Sequence, residues 1–194
     1  HFPVLANGLS NGPRFFGASN TSRLLGGIAG GVFEAWLRAS SVPLTRFPGE
    51  KVWLQNVNAV VSAEAAGRSV VAMTKTWVKG ADPVLVGVWH KFAAASFLLA
   101  SSGASTFSFS SDSSAVGILS VDPLGSLDLG VPVGGFLKVG GVYSRTFSRG
   151  LVLVNPFGGA VSVSLPGRFA DSGGNVVGGS VVLAGNSGEI FVSV

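Results

Sequence analysis

The sequence contains no cysteine and few charged residues. The absence of cysteine excludes a disulfide scaffold, a cysteine zinc site, an iron–sulfur cluster and a thiol nucleophile. Charged residues make up 11% of the chain and hydrophobic residues 47%, so the chain can bury enough apolar surface to fold and is not intrinsically disordered. With nine acidic residues and two histidines, only a small set of side chains could carry acid–base chemistry.

Long uninterrupted hydrophobic runs are also absent. A membrane-spanning helix needs roughly 20 mostly apolar residues, whereas the most apolar stretch, residues 83–102, is interrupted by His90 and Lys91. We therefore predict a buried helix there and no membrane span. The chain opens without a methionine or a basic signal region, so we expect an N-terminal part to be missing. The sequence leaves the localisation open, with secretion as one alternative.

The basic excess is small and dispersed, and the common nucleotide-binding motifs are missing. The net charge of +4 comes from 13 basic and 9 acidic residues, and the basic residues stand singly. A nucleic-acid surface needs clustered Lys and Arg, so we predict no nucleic-acid partner. Neither a P-loop nor a dinucleotide-binding glycine motif occurs, and we predict no cofactor. His90 has no evident partner and is interpreted as a packed helix residue, so no metal site is predicted.

The first part of the chain alternates predicted strands with helical patterns. Strands are predicted at residues 2–6, 28–35, 69–74 and 106–110, with helices between the second and third and between the third and fourth. Asp82 followed by Pro83 is a typical helix start. This order is typical of βαβ units with parallel strands. It fits either an open α/β sheet or half of a closed barrel.

The pattern changes near Gly141. Short alternating strands are predicted at residues 142–147, 151–154, 160–165, 180–183 and 189–194, separated by turn sequences. We therefore predict an α/β unit over residues 1–115, an irregular connection over 116–141 and an antiparallel β-domain over 142–194.

Glu34 is the most informative carboxylate. It lies in an apolar run between Phe33 and Trp36, where a charged residue is uncommon. Residues at the carboxyl ends of parallel strands face the ligand crevice. We predict that Glu34 is catalytic and that Trp36 offers a ring face to a sugar. A structural ion pair with Arg38 or Lys75 is the alternative.

Other polar residues follow the remaining predicted strands. Lys75 and Trp77 follow the third strand, Asp112 the fourth, and Asn7 the first. We predict that these residues bind substrate at a common edge of the sheet. The alternatives are solvated loop residues and, for Asn7 and Asp112, turn residues.

Several segments resemble a known group of proteins. The stretch VYSRTFSRGLVLVNP (residues 142–156) resembles the start of the C-terminal β-domain in glycoside hydrolase-like proteins with a TIM-barrel domain, and LDLGVPVG (127–134) is similar to the connection before it. GGVFEAWLR (30–38) is similar to their strand with the motif DGGMxExW, although Ala29 replaces the aspartate. The resemblance implies the last four βα units of a (β/α)8 barrel, followed by a small β-sandwich-like domain.

The resemblance also implies a function. Polysaccharide or oligosaccharide would be the substrate, Glu34 the acid/base, and Trp36, Trp77 and Trp53 sugar platforms. Glycoside hydrolysis uses two carboxyl groups. The second would belong to the missing barrel half, a possible partner of this chain, so we expect the fragment to be inactive by itself. Two alternatives are a non-catalytic carbohydrate-binding or structural module, and a stand-alone α/β domain with an unrelated ligand.

Overall fold

The computed structural model describes residues 4–7, 27–112 and 122–194. Its first part contains a four-stranded parallel sheet in the order β1-β2-β3-β4. The strands are β1 (Leu5–Asn7), β2 (Gly30–Phe33), β3 (Ser69–Lys75) and β4 (Thr106–Ser110). The predicted parallel arrangement is confirmed. Strand β2 is shorter than predicted, and Glu34 lies in the turn directly after it.

Two helices connect the later strands. Helix α1 (Glu50–Ala65) lies between β2 and β3, and helix α2 (Pro83–Ala100) lies between β3 and β4. Helix α2 begins as predicted, because the Asp82 side chain accepts a hydrogen bond of 2.9 Å from the Val84 amide. Both helices contact the parallel sheet and each other.

Three tryptophans form the centre of the α/β core. Trp36, Trp53 and Trp89 are completely buried. Each indole N–H has an acceptor: the Asn56 carbonyl at 3.1 Å, the Ser96 hydroxyl at 2.8 Å and the Leu44 carbonyl at 2.7 Å, respectively. Because a buried indole N–H needs a partner, these bonds allow large rings to fill the core without an unsatisfied polar group.

The second part is antiparallel, as predicted. A six-stranded sheet has the order β10-β9-β12-β7-β6-β5, and β8 pairs with β11 in a separate ribbon. The strands are β5 (Leu137–Val139), β6 (Val142–Phe147), β7 (Gly150–Asn155), β8 (Val161–Ser164), β9 (Phe169–Ala170), β10 (Val176–Val177), β11 (Ser180–Leu183) and β12 (Ser187–Ser193). The five predicted strands are confirmed to within two residues at each end. Strands β5, β9 and β10 were not predicted, because two or three residues are too short to show an alternating pattern.

Both faces of the six-stranded sheet are covered. Val152, Val154 and Ile190 belong to the same core as the tryptophans and helix α2. Leu151 and Leu153 belong to a second cluster with residues of the β8–β11 ribbon. All six residues of β7 are therefore buried, and helix α2 lies between the two large sheets.

Within the described part of the chain, α2 alone is long and apolar enough to cross a membrane. Half of its apolar window is buried inside the protein, and a core helix meets the same criterion.

Candidate functional site

The carboxyl ends of the four parallel strands meet at one edge of the sheet. Five residues that the sequence predicted to be catalytic or to bind substrate lie at this edge. We call them the rim: Asn7, Glu34, Lys75, Trp77 and Asp112. Because the strand order follows the chain, the rim residues follow one another along this edge in sequence order.

An ion pair joins the ends of β2 and β3. Lys75 Nζ lies 2.9 Å from Glu34 Oε1. The Lys75 side chain is 7% exposed, whereas that of Glu34 is 49% exposed. The structural alternative for Glu34, pairing with Lys75, is therefore present, yet about half of the Glu34 side chain remains exposed.

Trp77 extends the rim beyond β3. Its ring centroid lies 4.7 Å from Lys75 Nζ, a cation–π distance. The indole N–H donates to the Arg38 carbonyl at 3.4 Å. The ring is partly exposed, and the backbone at Trp77 has a positive φ of 59°. A bulky residue rarely adopts this conformation, so the surrounding contacts hold the ring at the rim.

Asp112 and Asn7 lie at the two ends of the rim. Asp112 is partly buried, and the Ser110 hydroxyl donates to its carbonyl at 3.1 Å. Asn7 is exposed at the end of β1, in register with Val32 of β2. Asn7 is therefore the last residue of β1, and Asp112 lies two residues beyond the end of β4.

Trp36 and Trp53 do not bind sugar, and their predicted role is wrong. Both are 0% exposed. Trp36 packs edge-on against Phe97 and Phe107, with centroid distances of 6.2 and 6.1 Å. A sugar platform needs an exposed ring face, which leaves Trp77 as the tryptophan of this site.

Arg38 was considered in the sequence only as an ion-pair partner of Glu34, but it lies beneath the rim. Its guanidinium donates to the carbonyls of Lys75 at 3.3 Å and Val42 at 2.6 Å, and its Nε has no partner. The side chain is almost fully buried, and this burial lowers the pKa of Arg38. In the sequence, the position of Arg38 next to an apolar strand was the only indication of this role. The carbonyls that Arg38 contacts could not be identified from the spacing of residues along the chain.

Arg38 lines a cavity of about 460 Å³ next to the rim. Arg46, Gly49 and Asn56 also line it. None of these three was a candidate in the sequence, because they stand singly in a region without a motif.

His90 has a partner that the sequence did not reveal. Its Nε2 lies 2.8 Å from Asp122 Oδ2, and its ring stacks on Phe109 with centroids 4.6 Å apart. Asp122 also accepts from the Leu124 amide at 2.9 Å. The pair joins helix α2 to the segment before β5, and the Phe109 ring on which His90 stacks belongs to β4.

Across residues 4–7, 27–112 and 122–194, no group of three or more histidine, aspartate or glutamate side chains is placed to hold a metal ion. No protein-family model matches the chain, and no curated protein matches it.

Proposed function

We propose that this chain is part of a glycoside hydrolase-like protein that binds or cleaves polysaccharide or oligosaccharide at the rim. The observation that carries the proposal is the half-exposed Glu34 side chain at the carboxyl edge of a parallel sheet. Catalytic and binding residues of α/β barrels lie at this edge. A partly exposed tryptophan, Trp77, lies next to the ion pair and could stack on a sugar ring.

The strand order is compatible with part of a barrel. A doubly wound sheet binds ligands where the strand order reverses. Strands β1 to β4 follow one another without reversal, which is the order of neighbours in a (β/α)8 barrel. Under this proposal they are the last four barrel strands, and the antiparallel part is the β-sandwich-like domain that follows.

Glu34 is the proposed acid/base, and Lys75 is a positioning residue. Lys75 Nζ lies 2.9 Å from Glu34 Oε1, so Lys75 holds the Glu34 carboxylate in place at the end of β2. Asn7, Asp112 and Trp77 are the proposed sugar contacts. The second carboxyl group that hydrolysis requires would come from the other barrel half.

Glycan binding tests this proposal. Titration calorimetry with a panel of neutral and acidic oligosaccharides should give saturable binding, and Trp77→Ala should weaken it about tenfold through loss of ring stacking. Asp128→Asn is the matched control, because Asp128 pairs with Arg149 on the surface away from the rim. Absence of binding across the panel, or equal binding by wild type, Glu34→Gln and Trp77→Ala, would contradict the proposal.

A non-catalytic carbohydrate-binding module is the second candidate. Two observations favour it: Ala29 stands where the resembling motif has an aspartate, and Glu34 is engaged by Lys75. Analysis of reducing ends released from a bound glycan separates the two functions. In a protein that combines this chain with the proposed other barrel half, turnover that falls about 100-fold or more in Glu34→Gln indicates a hydrolase, whereas binding without turnover in that protein indicates a binding module.

A further inference from the structure

A second candidate site lies beside the rim. The cavity of about 460 Å³ is formed by the loop after β2 and the first turn of α1. Arg38, Arg46 and Asn56 supply polar groups to its wall, and no acidic residue of the described ranges lines it. The cavity is therefore basic, in a chain whose charges are otherwise sparse.

Arg38 is a buried cation without a counter-ion in the described residues. It is 3% exposed, and its guanidinium donates to the neutral carbonyls of Lys75 and Val42. Its Nε is buried without a partner. Burying a charge is costly unless it is paired with an opposite charge. An anion in the cavity would provide the missing opposite charge.

The N-terminus of α1 adds donors of the same character. Gly49 is the N-cap and supplies no side-chain hydrogen bond, and the first intrahelical bond is from the Trp53 amide to the Gly49 carbonyl at 2.9 Å. The backbone amides of the first turn of α1, which come before Trp53, have no intrahelical acceptor. They lie at the positive end of the helix dipole. Gly49 and Val52 of this turn line the cavity.

The acidic residue of this turn does not neutralise the site. Glu50 Oε1 accepts from Lys138 Nζ at 2.6 Å and from Tyr143 Oη at 2.5 Å. Its charge is therefore engaged with the antiparallel part, and Glu50 does not line the cavity.

The loop that carries Arg38 is fixed in an uncommon conformation. Leu37 has a φ of 64°, and its amide lies 3.5 Å from Asn56 Oδ1. The Thr74 hydroxyl donates to the Trp36 carbonyl at 2.9 Å. Such strain persists where the surrounding structure determines the backbone, and it clusters at ligand sites.

We propose that this cavity binds a small oxyanion, a carboxylate, phosphate or sulfate group, between Arg38, Arg46 and the N-terminus of α1. Guanidinium groups and helix N-termini are the two protein elements best suited to such a group. The site goes beyond the proposed function, since it requires no role for Glu34. It is nevertheless linked to the rim, because Lys75 accepts from Arg38 through its carbonyl and binds Glu34 through its ammonium.

Calorimetry with sodium phosphate, sulfate and glucuronate on the full chain tests the site. At least one anion should bind saturably, and Arg46→Gln should weaken its binding about tenfold, as expected for loss of one charge-assisted hydrogen bond. Arg149→Gln, which removes an exposed surface arginine, should leave the affinity unchanged. Preference for phosphate or sulfate identifies a tetrahedral ligand, and preference for glucuronate identifies the carboxylate of an acidic sugar.

A second variant tests the site even if the arginine variant does not fold. Gly49 has φ −66° and ψ 161°, and a Cβ added there meets no atom within 4 Å. Gly49→Asp should cap α1 with its own carboxylate, raise Tm without ligand and abolish anion binding. Gly158→Asp adds the same charge at another open glycine and should leave binding unchanged.

The possible outcomes separate this site from the rim. Anion binding that persists in Glu34→Gln but is lost in Gly49→Asp supports the site even if no glycan binds. No saturable binding of any of the three anions overturns it, as does binding that Arg46→Gln and Gly49→Asp leave unchanged.

Discussion

At the residue scale, Glu50 connects helix α1 to the antiparallel sheet. Its carboxylate accepts from Lys138 of β5 and Tyr143 of β6. The Lys138 and Tyr143 hydrogen bonds lower the pKa of Glu50, and burial together with Glu50 raises the pKa of the Tyr143 phenol. Both shifts keep the carboxylate ionised and the phenol protonated, which are the forms that the hydrogen bond requires.

This arrangement predicts a pH-dependent stability. Because the pKa of Glu50 is lower in the folded state than in the unfolded chain, its contribution is complete above the ordinary glutamate pKa of about 4.3 and is lost as the pH falls through the folded value. The Tm advantage of wild type over Glu50→Gln should therefore be largest near neutral pH and shrink below pH 4, as measured by thermal unfolding. An advantage that is independent of pH would contradict this role for the carboxylate.

Also at the residue scale, the sequence identified the rim more successfully than the cavity. Glu34, Lys75, Trp77 and Asp112 were recognisable because each lies at the end of a strand or within two residues beyond it. The burial of Trp36 could not be recognised in the sequence, because the strand ends at Phe33 and Leu37 adopts a left-handed backbone conformation. Arg38 depends on contact with Lys75, which is 37 residues away, and no local pattern reports such a contact.

At the element scale, α2 and β12 approach closely at Gly188. A Cβ added to Gly188 would lie 2.6 Å from the Ala95 Cβ and 2.9 Å from the Lys91 carbonyl. A side chain there would push the strand away from the helix. The small residues on both elements therefore set the distance between helix and sheet.

We expect Gly188→Ala to lower the free energy of unfolding by about 1–3 kcal/mol through overpacking. Gly87→Ala is the matched control, because Gly87 lies in the same helix with nothing within 4 Å. This control should raise stability by about 0.5–1 kcal/mol, since alanine favours helix. Urea unfolding measures both, and equal effects of the two variants would contradict the close contact.

The elements themselves were largely predictable where the local signals are strong. Helix α2 starts at its proline, and β4, β6 and β11 have the predicted bounds. Strands β9 and β10 could not be predicted, because their two residues each are held by neighbouring strands rather than by their own pattern.

At the scale of the whole molecule, one core runs from the parallel sheet through α2 to the antiparallel sheet. Arg145 of β6 reinforces this junction. Its guanidinium donates to the carbonyls of Leu98, Leu99 and Ser101 at 3.1, 3.1 and 2.6 Å, and so satisfies the C-terminal end of α2. The two parts should therefore unfold together.

Arg145→Met tests this coupling. Removing the guanidinium leaves buried carbonyls unsatisfied and should cost about 2–4 kcal/mol. All four tryptophans lie between residues 36 and 89, so tryptophan fluorescence reports mainly on the α/β part, and Trp53 also contacts Tyr143 of β6 with ring centroids 4.6 Å apart. The fluorescence midpoint should fall together with that of far-UV circular dichroism, and Arg149→Met should change neither. An unchanged fluorescence midpoint would show that the two parts unfold independently.

The position of α2 between the two sheets also affects how the chain folds during synthesis. Strand β12 covers the apolar helix, but it lies almost ninety residues further along the chain. At the usual rate of about 5–20 residues per second, this face of the helix leaves the ribosome on the order of ten seconds before its partner. During that interval the apolar face of α2 is exposed on the nascent chain. Exposed apolar segments of this kind are bound by chaperones.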